Sequence, residues 1–217
     1  PTMKFLKKDI GSSPNKKFKK PSDVAKLSDD EFKLLIEANG NSVPENIPGS
    51  TMDEKVTTYA KVLQSRAEFT FPMVAMVAAV KKGDDHTLTK IDDVEKFIDE
   101  HTGMDFKTEN LDKYLKENGI QVDKAVREEV KVFQRIHKLT PKAAAGKVLI
   151  EEGLHGSAKI YALSKSRLTN LFEARGVEAK YAVKLHEQAK SQYAQILAKL
   201  MEYAPQIHWG NPRAIIK

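Results

Sequence analysis

The chain has 217 residues, no cysteine and a net charge of +6. That length can bury a core unaided, and the lack of cysteine excludes both a disulfide framework and a thiolate-held metal. The longest uncharged run, Phe69 to Val80, contains Pro72 and falls short of the roughly 20 residues a membrane-crossing helix needs, so it reads as a buried helix.

Residues 1–20 hold seven lysines (Lys4, Lys7, Lys8, Lys16, Lys17, Lys19 and Lys20) against one acid, Asp9, and so carry the whole net charge. With Gly11, Pro14 and little apolar content, they read as a flexible basic tail, dispensable for folding. No apolar stretch follows the lysines, so no secretory signal is expected. A first residue of proline suits a processed product or an excised fragment.

The remaining residues, 21–217, are expected to form one all-helical domain. Ser28 and Glu31 form a capping box, and Phe32, Leu35 and Ile36 share a face that ends at Gly40. Thr51 and Glu54 repeat the box ahead of Val56, Tyr59, Ala60, Leu63 and Ala67. Pro72 suits the first turn of a helix stopping at Gly83, and this helix is apolar nearly all round and should be central. Further helices are expected from Asp92, from Asn110 to Gly119, and from Asp123 to Leu139. Thr140-Pro141 reads as an N-cap with proline at the first helical position of the next, which closes at Gly153. A short helix over Ser157–Leu163 precedes one capped by Ser164 and ending at Gly176. The phrase Leu-Ser, three apolar positions, then Gly occurs at both Leu27–Gly40 and Leu163–Gly176, as similar caps on similar short helices would give. The last helix runs from Val177 to Tyr203, stopping before Pro205, as the spine for the shorter ones. The expected fold class is all-α, a multi-helix bundle of short capped helices packed on a long C-terminal helix.

Motifs that carry chemistry are sparse. Asp84-Asp85-His86 through Glu95 outlines a calcium loop, but Thr89 stands where the sharp turn requires glycine. Gly146-Lys147 lacks the upstream glycine and the following hydroxyl of a phosphate loop. Ser157 is outside any G-x-S-x-G elbow. His86, His101, His137, His155, His186 and His208 show no metal-ligand spacing. No catalytic, cofactor-binding or metal-binding residue is therefore assigned, and the chain reads as a non-enzyme. Gly153 to Ile160 resembles the turn of a helix-hairpin-helix element, with its glycines three apart rather than two, and Lys159, Lys165 and Arg167 are nearby. With the lysine tail, this turn supports an alternative reading as a nucleic-acid-binding module. Against it, a phosphate-tracking domain should be basic over its folded surface, and the basic excess here is confined to the tail.

Several phrases carry a resemblance. They are Pro48-Gly49-Ser50-Thr51 leading into Glu54-Lys55-Val56 and Tyr59-Ala60, then Glu68-Phe69-Thr70-Phe71-Pro72, with Met73 where a threonine is usual. Asp105-Phe106, Asn110 to Leu115, Phe133 to Thr140, Gly153 to Ala158 and Tyr181 to Tyr203 follow in order. Over residues 27–205 the chain is similar to the helical shell of the A component of the Tc insecticidal toxin complexes, a family that includes the virulence-plasmid A proteins. The resemblance implies a secreted bacterial protein, a homo-pentameric assembly and a role in delivering a toxic enzyme into target cells. It implies a wall-like module without catalysis, whose partners are other domains or subunits of the toxin. Such a module should leave an apolar patch, expected over Ile207 to Pro212, including Trp209, and along one flank of the last helix.

Overall fold

The computed structural model describes residues 18–83 and 87–208, with side chains as far as Tyr203. The stretch 1–17, the Asp84–His86 segment and the expected patch at Trp209 lie outside the described residues. Among those described there is no strand. A 3-10 helix, Pro21–Lys26, precedes ten α-helices: α1 (Asp29–Ala38), α2 (Met52–Thr70), α3 (Pro72–Lys81), α4 (Ile91–Glu100), α5 (Leu111–Glu117), α6 (Lys124–Leu139), α7 (Ala143–Glu151), α8 (Ser157–Ala162), α9 (Lys165–Ala174) and α10 (Ala179–His208). Where the sequence suggests one domain, the contacts form two compact units, one ending at Gly153 and the other beginning at Leu154.

The first unit is organised around α3. This helix packs against the 3-10 helix and against α2, α4, α6 and α7. Met73, Val74, Ala75, Met76, Val77, Ala78 and Val80 are all buried, so it has no solvent face. Pro72 opens it at the first turn, and Phe71 serves both as the C-cap of α2 and as the N-cap of α3. The uncharged run is thus divided between two helices. Phe69, at the end of α2, is 88% exposed instead of buried. Against α7 the packing is close. A Cβ on Gly146 would lie 2.7 Å from the Met76 sulfur, so only a hydrogen at position 146 lets the two helices approach this far.

Local side-chain caps start five of these helices, α1, α2, α5, α6 and α9. Ser28 and Glu31 exchange hydrogen bonds at the head of α1, and Thr51 and Glu54 at the head of α2. Asn110 accepts from Lys113 N, and Asp123 from Ala125 N, at 3.0 and 2.8 Å. Two helices have no capping side chain of their own and take one from far away. At α4, Glu129 of α6 accepts from Thr89 N and Lys90 N, at 2.8 and 3.1 Å. At α7, Glu68 of α2, only 5% exposed, accepts from Ala143 N and from Lys142 Nζ, the latter at 2.6 Å. The Thr140-Pro141 expectation is thereby corrected. Thr140 is the C-cap of α6, Lys142 is the N-cap of α7, and the capping oxygen comes from Glu68.

Ion pairs join the outer edges of α1, α3, α4 and the 3-10 helix. Lys26 lies 3.0 Å from Glu95, and Lys81 lies 2.7 Å from both Asp92 and Glu95. Lys82 pairs with Glu31. Of the segment read as a tail, Phe18 is buried, and Lys20 donates to the Asp99 carbonyl at 2.9 Å.

In the second unit α8 and α9 both pack on α10. Ile160, Leu168, Phe172, Ala182, Leu185 and Ala189 are its buried apolar residues on these three helices. Helix α9 repeats the plan of α1, with Ser164 accepting from Arg167 N at 3.3 Å. At 1.5 Å per residue α10 is about 45 Å long. It continues through Pro205, beyond the expected stop.

Val77 is 1% exposed on the all-round buried helix. Val77→Asp should cost at least about 3 kcal/mol, since the new charge has neither water nor a partner. Urea unfolding equal to that of the parent would place α3 at the periphery. Glu68→Ala should cost about 2–3 kcal/mol and Glu68→Gln about half as much, because the amide oxygen still accepts from Ala143 N. Equal losses in urea melts of the two variants would remove the capping explanation.

Candidate interaction surface

The two halves of α10 differ in their surroundings. In the first half, the Tyr161 ring of α8 stands 5.8 Å from the rings of both His186 and Tyr193, and His186 Nε2 lies 2.9 Å from the Leu163 carbonyl. Beyond Tyr193 the cover stops, and every residue from Ala194 to Tyr203 is exposed. The side chains there are not those of a solvated helix. Ile196, Leu197, Leu200, Met201 and Tyr203 are large and apolar, with Leu200 at 60% and Met201 at 74% exposure. At 3.6 residues per turn they fall, with Tyr193, within about 160° of the circumference. Ala182, Leu185 and Ala189, buried one to three turns earlier, fall in the same arc. One apolar stripe therefore runs the length of the helix, covered at its start and bare at its end. The flank expected from the sequence is present, and it occupies the distal half of the helix.

The positions singled out for chemistry take structural places. Gly146 is buried against Met76, and Lys147 pairs with Glu151 one turn on, at 3.7 Å. Ser157 is buried at the head of α8. Gly153 takes φ +64° where α7 ends, whereas Gly156 is extended at φ −175°, and the two belong to different units. Lys165 pairs with Glu187 at 3.7 Å. His101 Nδ1 lies 3.2 Å from the Tyr114 hydroxyl, with its ring 4.5 Å from that of Phe97. His86 and the His208 side chain lie outside the described residues. Among the described residues no group of His, Asp or Glu is placed to hold a metal ion, and no helix is long and apolar enough to cross a membrane.

Among the described residues one histidine is buried. His137 of α6 lines a cavity of about 180 Å³ with Phe71, Pro72, Met104, Asp105 and Phe106. Its Nδ1 is buried without a hydrogen-bond partner. Burial lowers its pKa from 6.5, Lys107 and Lys138 act in the same direction, and Asp105 opposes them. The Asp105 carboxylate is itself engaged, accepting from the Thr108 hydroxyl and Lys107 N. It pins the turn before α5.

No family model matches the chain, and no curated protein or solved structure matches it either.

His137 gives the molecule a defined response to acid. Its folded pKa lies below its unfolded value of 6.5, so the unfolded chain binds the extra proton. The stability at stake is complete above that pH and declines as the pH falls below it. Burial would raise Glu31 and Glu95, but Lys82 holds the first and Lys81 and Lys26 hold the second below 4.5, so their contribution is lost only in stronger acid. The melting temperature should therefore fall between about pH 7 and pH 5, and His137→Gln should flatten that fall. A variant with the parent's slope would assign the acid response to other groups.

Proposed function

We propose that this chain is a non-enzymatic structural and interaction module, a wall-forming piece of a Tc-type toxin A component, whose working part is the bare apolar half of α10. The observation that carries the reading is the arc of Ile196, Leu197, Leu200, Met201 and Tyr203 on a helix stretch with no cover. Tertiary packing of the apolar face supplies most helical stability, and this stretch has no such packing. A soluble monomer rarely exposes a contiguous apolar surface unless it serves an interaction. The ordered phrases from Pro48 to Tyr203 supply the toxin-shell part of the proposal. Within that reading the module belongs to a secreted homo-pentamer and contacts other domains or subunits of the toxin. Other regions of the assembly meet the target cell.

The test is whether the arc is available. The isolated chain should bind an environment-sensitive apolar dye under native conditions. Leu197→Glu combined with Met201→Lys should abolish that binding and shift the melting temperature by no more than about 2–4 °C. A parent chain that ignores the dye would remove the carrying observation. A longer gene product containing this segment that sediments as a monomer would remove the toxin-assembly part.

A further inference from the structure

The cavity beside His137 has a chemistry of its own, with a floor and a mouth that differ. Met73 and Val74 of α3, Ile98 of α4, and Met104 and Phe106 from the turn after α4 are buried and make an apolar floor. Thr70, Thr102 and Asp105 are exposed and stand at the mouth. The volume of about 180 Å³ is close to the roughly 150 Å³ at which an apolar protein cavity accepts a benzene ring. Phe71 and Phe106, with the thioethers of Met73 and Met104, suit an aromatic guest, because ring edges and sulfur atoms both attract aromatic rings. One wall is polar. His137, only 8% exposed, lines the cavity, and its Nδ1 is buried without a hydrogen-bond partner. A buried nitrogen left unmatched is costly, and a donor carried in by a ligand removes that cost.

We propose that this cavity is a binding site for a compact, neutral aromatic molecule bearing one hydroxyl, a phenol in the simplest case, with its ring on the apolar floor and its hydroxyl donating to the His137 imidazole. Charge favours a neutral guest. Among the residues lining the cavity, Asp105 alone carries a full charge at neutral pH. Its carboxylate repels an anion, and any ionised group drawn onto the apolar floor loses its hydration. The Asp105 oxygens already accept from the Thr108 hydroxyl and Lys107 N, which leaves His137 as the unengaged acceptor. Burial lowers the His137 pKa from 6.5, Lys107 and Lys138 add to that effect, and Asp105 opposes it. The ring is therefore neutral at pH 7 and able to accept. Protonation removes the acceptor, so binding weakens as the pH falls through the folded pKa. The few heavy atoms of a phenol limit its affinity to a dissociation constant on the order of 1 mM. The cavity lies in the first unit and the bare helix half in the second, so this site stands or falls separately from the docking face.

Titration of the full chain with phenol, followed by NMR of labelled methionine methyl groups, tests it. Met73 and Met104 line the cavity, whereas Met52 and Met201 are exposed elsewhere and serve as controls. Phenol should shift the Met73 and Met104 signals saturably and bind at least about fivefold tighter than benzene, which has the ring without the donor. Benzoate should leave both signals unmoved. Phenol affinity should be constant between about pH 8 and pH 7 and fall at least about threefold by about pH 5. His137→Leu should reduce the affinity for phenol to that for benzene. Should this variant fold poorly, the comparison of phenol with benzene on the parent chain decides the matter alone. Equal affinity for the two on the parent, shifts confined to Met52 or Met201, or no saturable shift at all overturns the proposal.

Discussion

A helix with no polar face must be surrounded, and the first unit is the arrangement that surrounds α3. Its residues from Met73 to Val80 are apolar, and all but one of them are buried. At about 25 cal/mol per Å² of apolar surface removed from water, this helix is where much of the unit's burial is concentrated. Satisfying it requires neighbours on every side, and α2, α4, α6, α7 and the 3-10 helix supply them. Each neighbour can then be amphipathic, apolar toward α3 and charged toward water. The Lys26, Lys81 and Lys82 pairs form where those outer faces meet.

Surrounding one helix so closely forces compromises at the ends of others. Helix α7 begins where α6 has just ended, with Thr140 and Pro141 used up by the turn. No short polar side chain remains to meet its first amide. Glu68 fills that role from α2, and its buried carboxylate is tolerable because it has the Ala143 amide, the Lys142 ammonium and the positive end of a helix around it. Glu129 does the same at α4, where its carboxylate accepts from the Thr89 and Lys90 amides and from the Thr89 hydroxyl. These two glutamates tie helix ends to distant helices, so the charged residues of this fold fix geometry as well as solubility.

The helices themselves were readable because their signals are local. Capping boxes, Pro72 at a first turn and the all-apolar stretch behind it depend on residues within four positions of one another. What could not be read depends on residues far apart. Nothing near Lys142 announces Glu68, so Thr140-Pro141 looked like a helix start. Phe69 looks buried when only the uncharged run is considered, but it belongs to α2, where it stands two residues past buried Ala67 and so on the opposite face. Phe18 sits in a lysine-rich segment whose composition hides one anchoring ring. The stripe on α10 was legible as a stripe. That its cover ends at Tyr193 was not, because this depends on how far α8 and α9 reach. The division after Gly153 was hidden for the same reason, since contact density has no local signature.

The contact between Met76 and Gly146 gives the molecule a particular vulnerability. Met76 is fully buried, and its sulfur occupies the space that a side chain on Gly146 would fill. An oxygen atom added to that sulfur has no room in the closed unit, so an oxidant reaches it only when α3 and α7 part. Once the sulfoxide forms, the two helices cannot regain their separation, because the larger and more polar group blocks the approach that glycine permits. Transient opening, harmless in a reducing solution, leaves a chemical mark in an oxidising one. With no cysteine in the chain, a buried methionine is where redox chemistry can record that the core has opened.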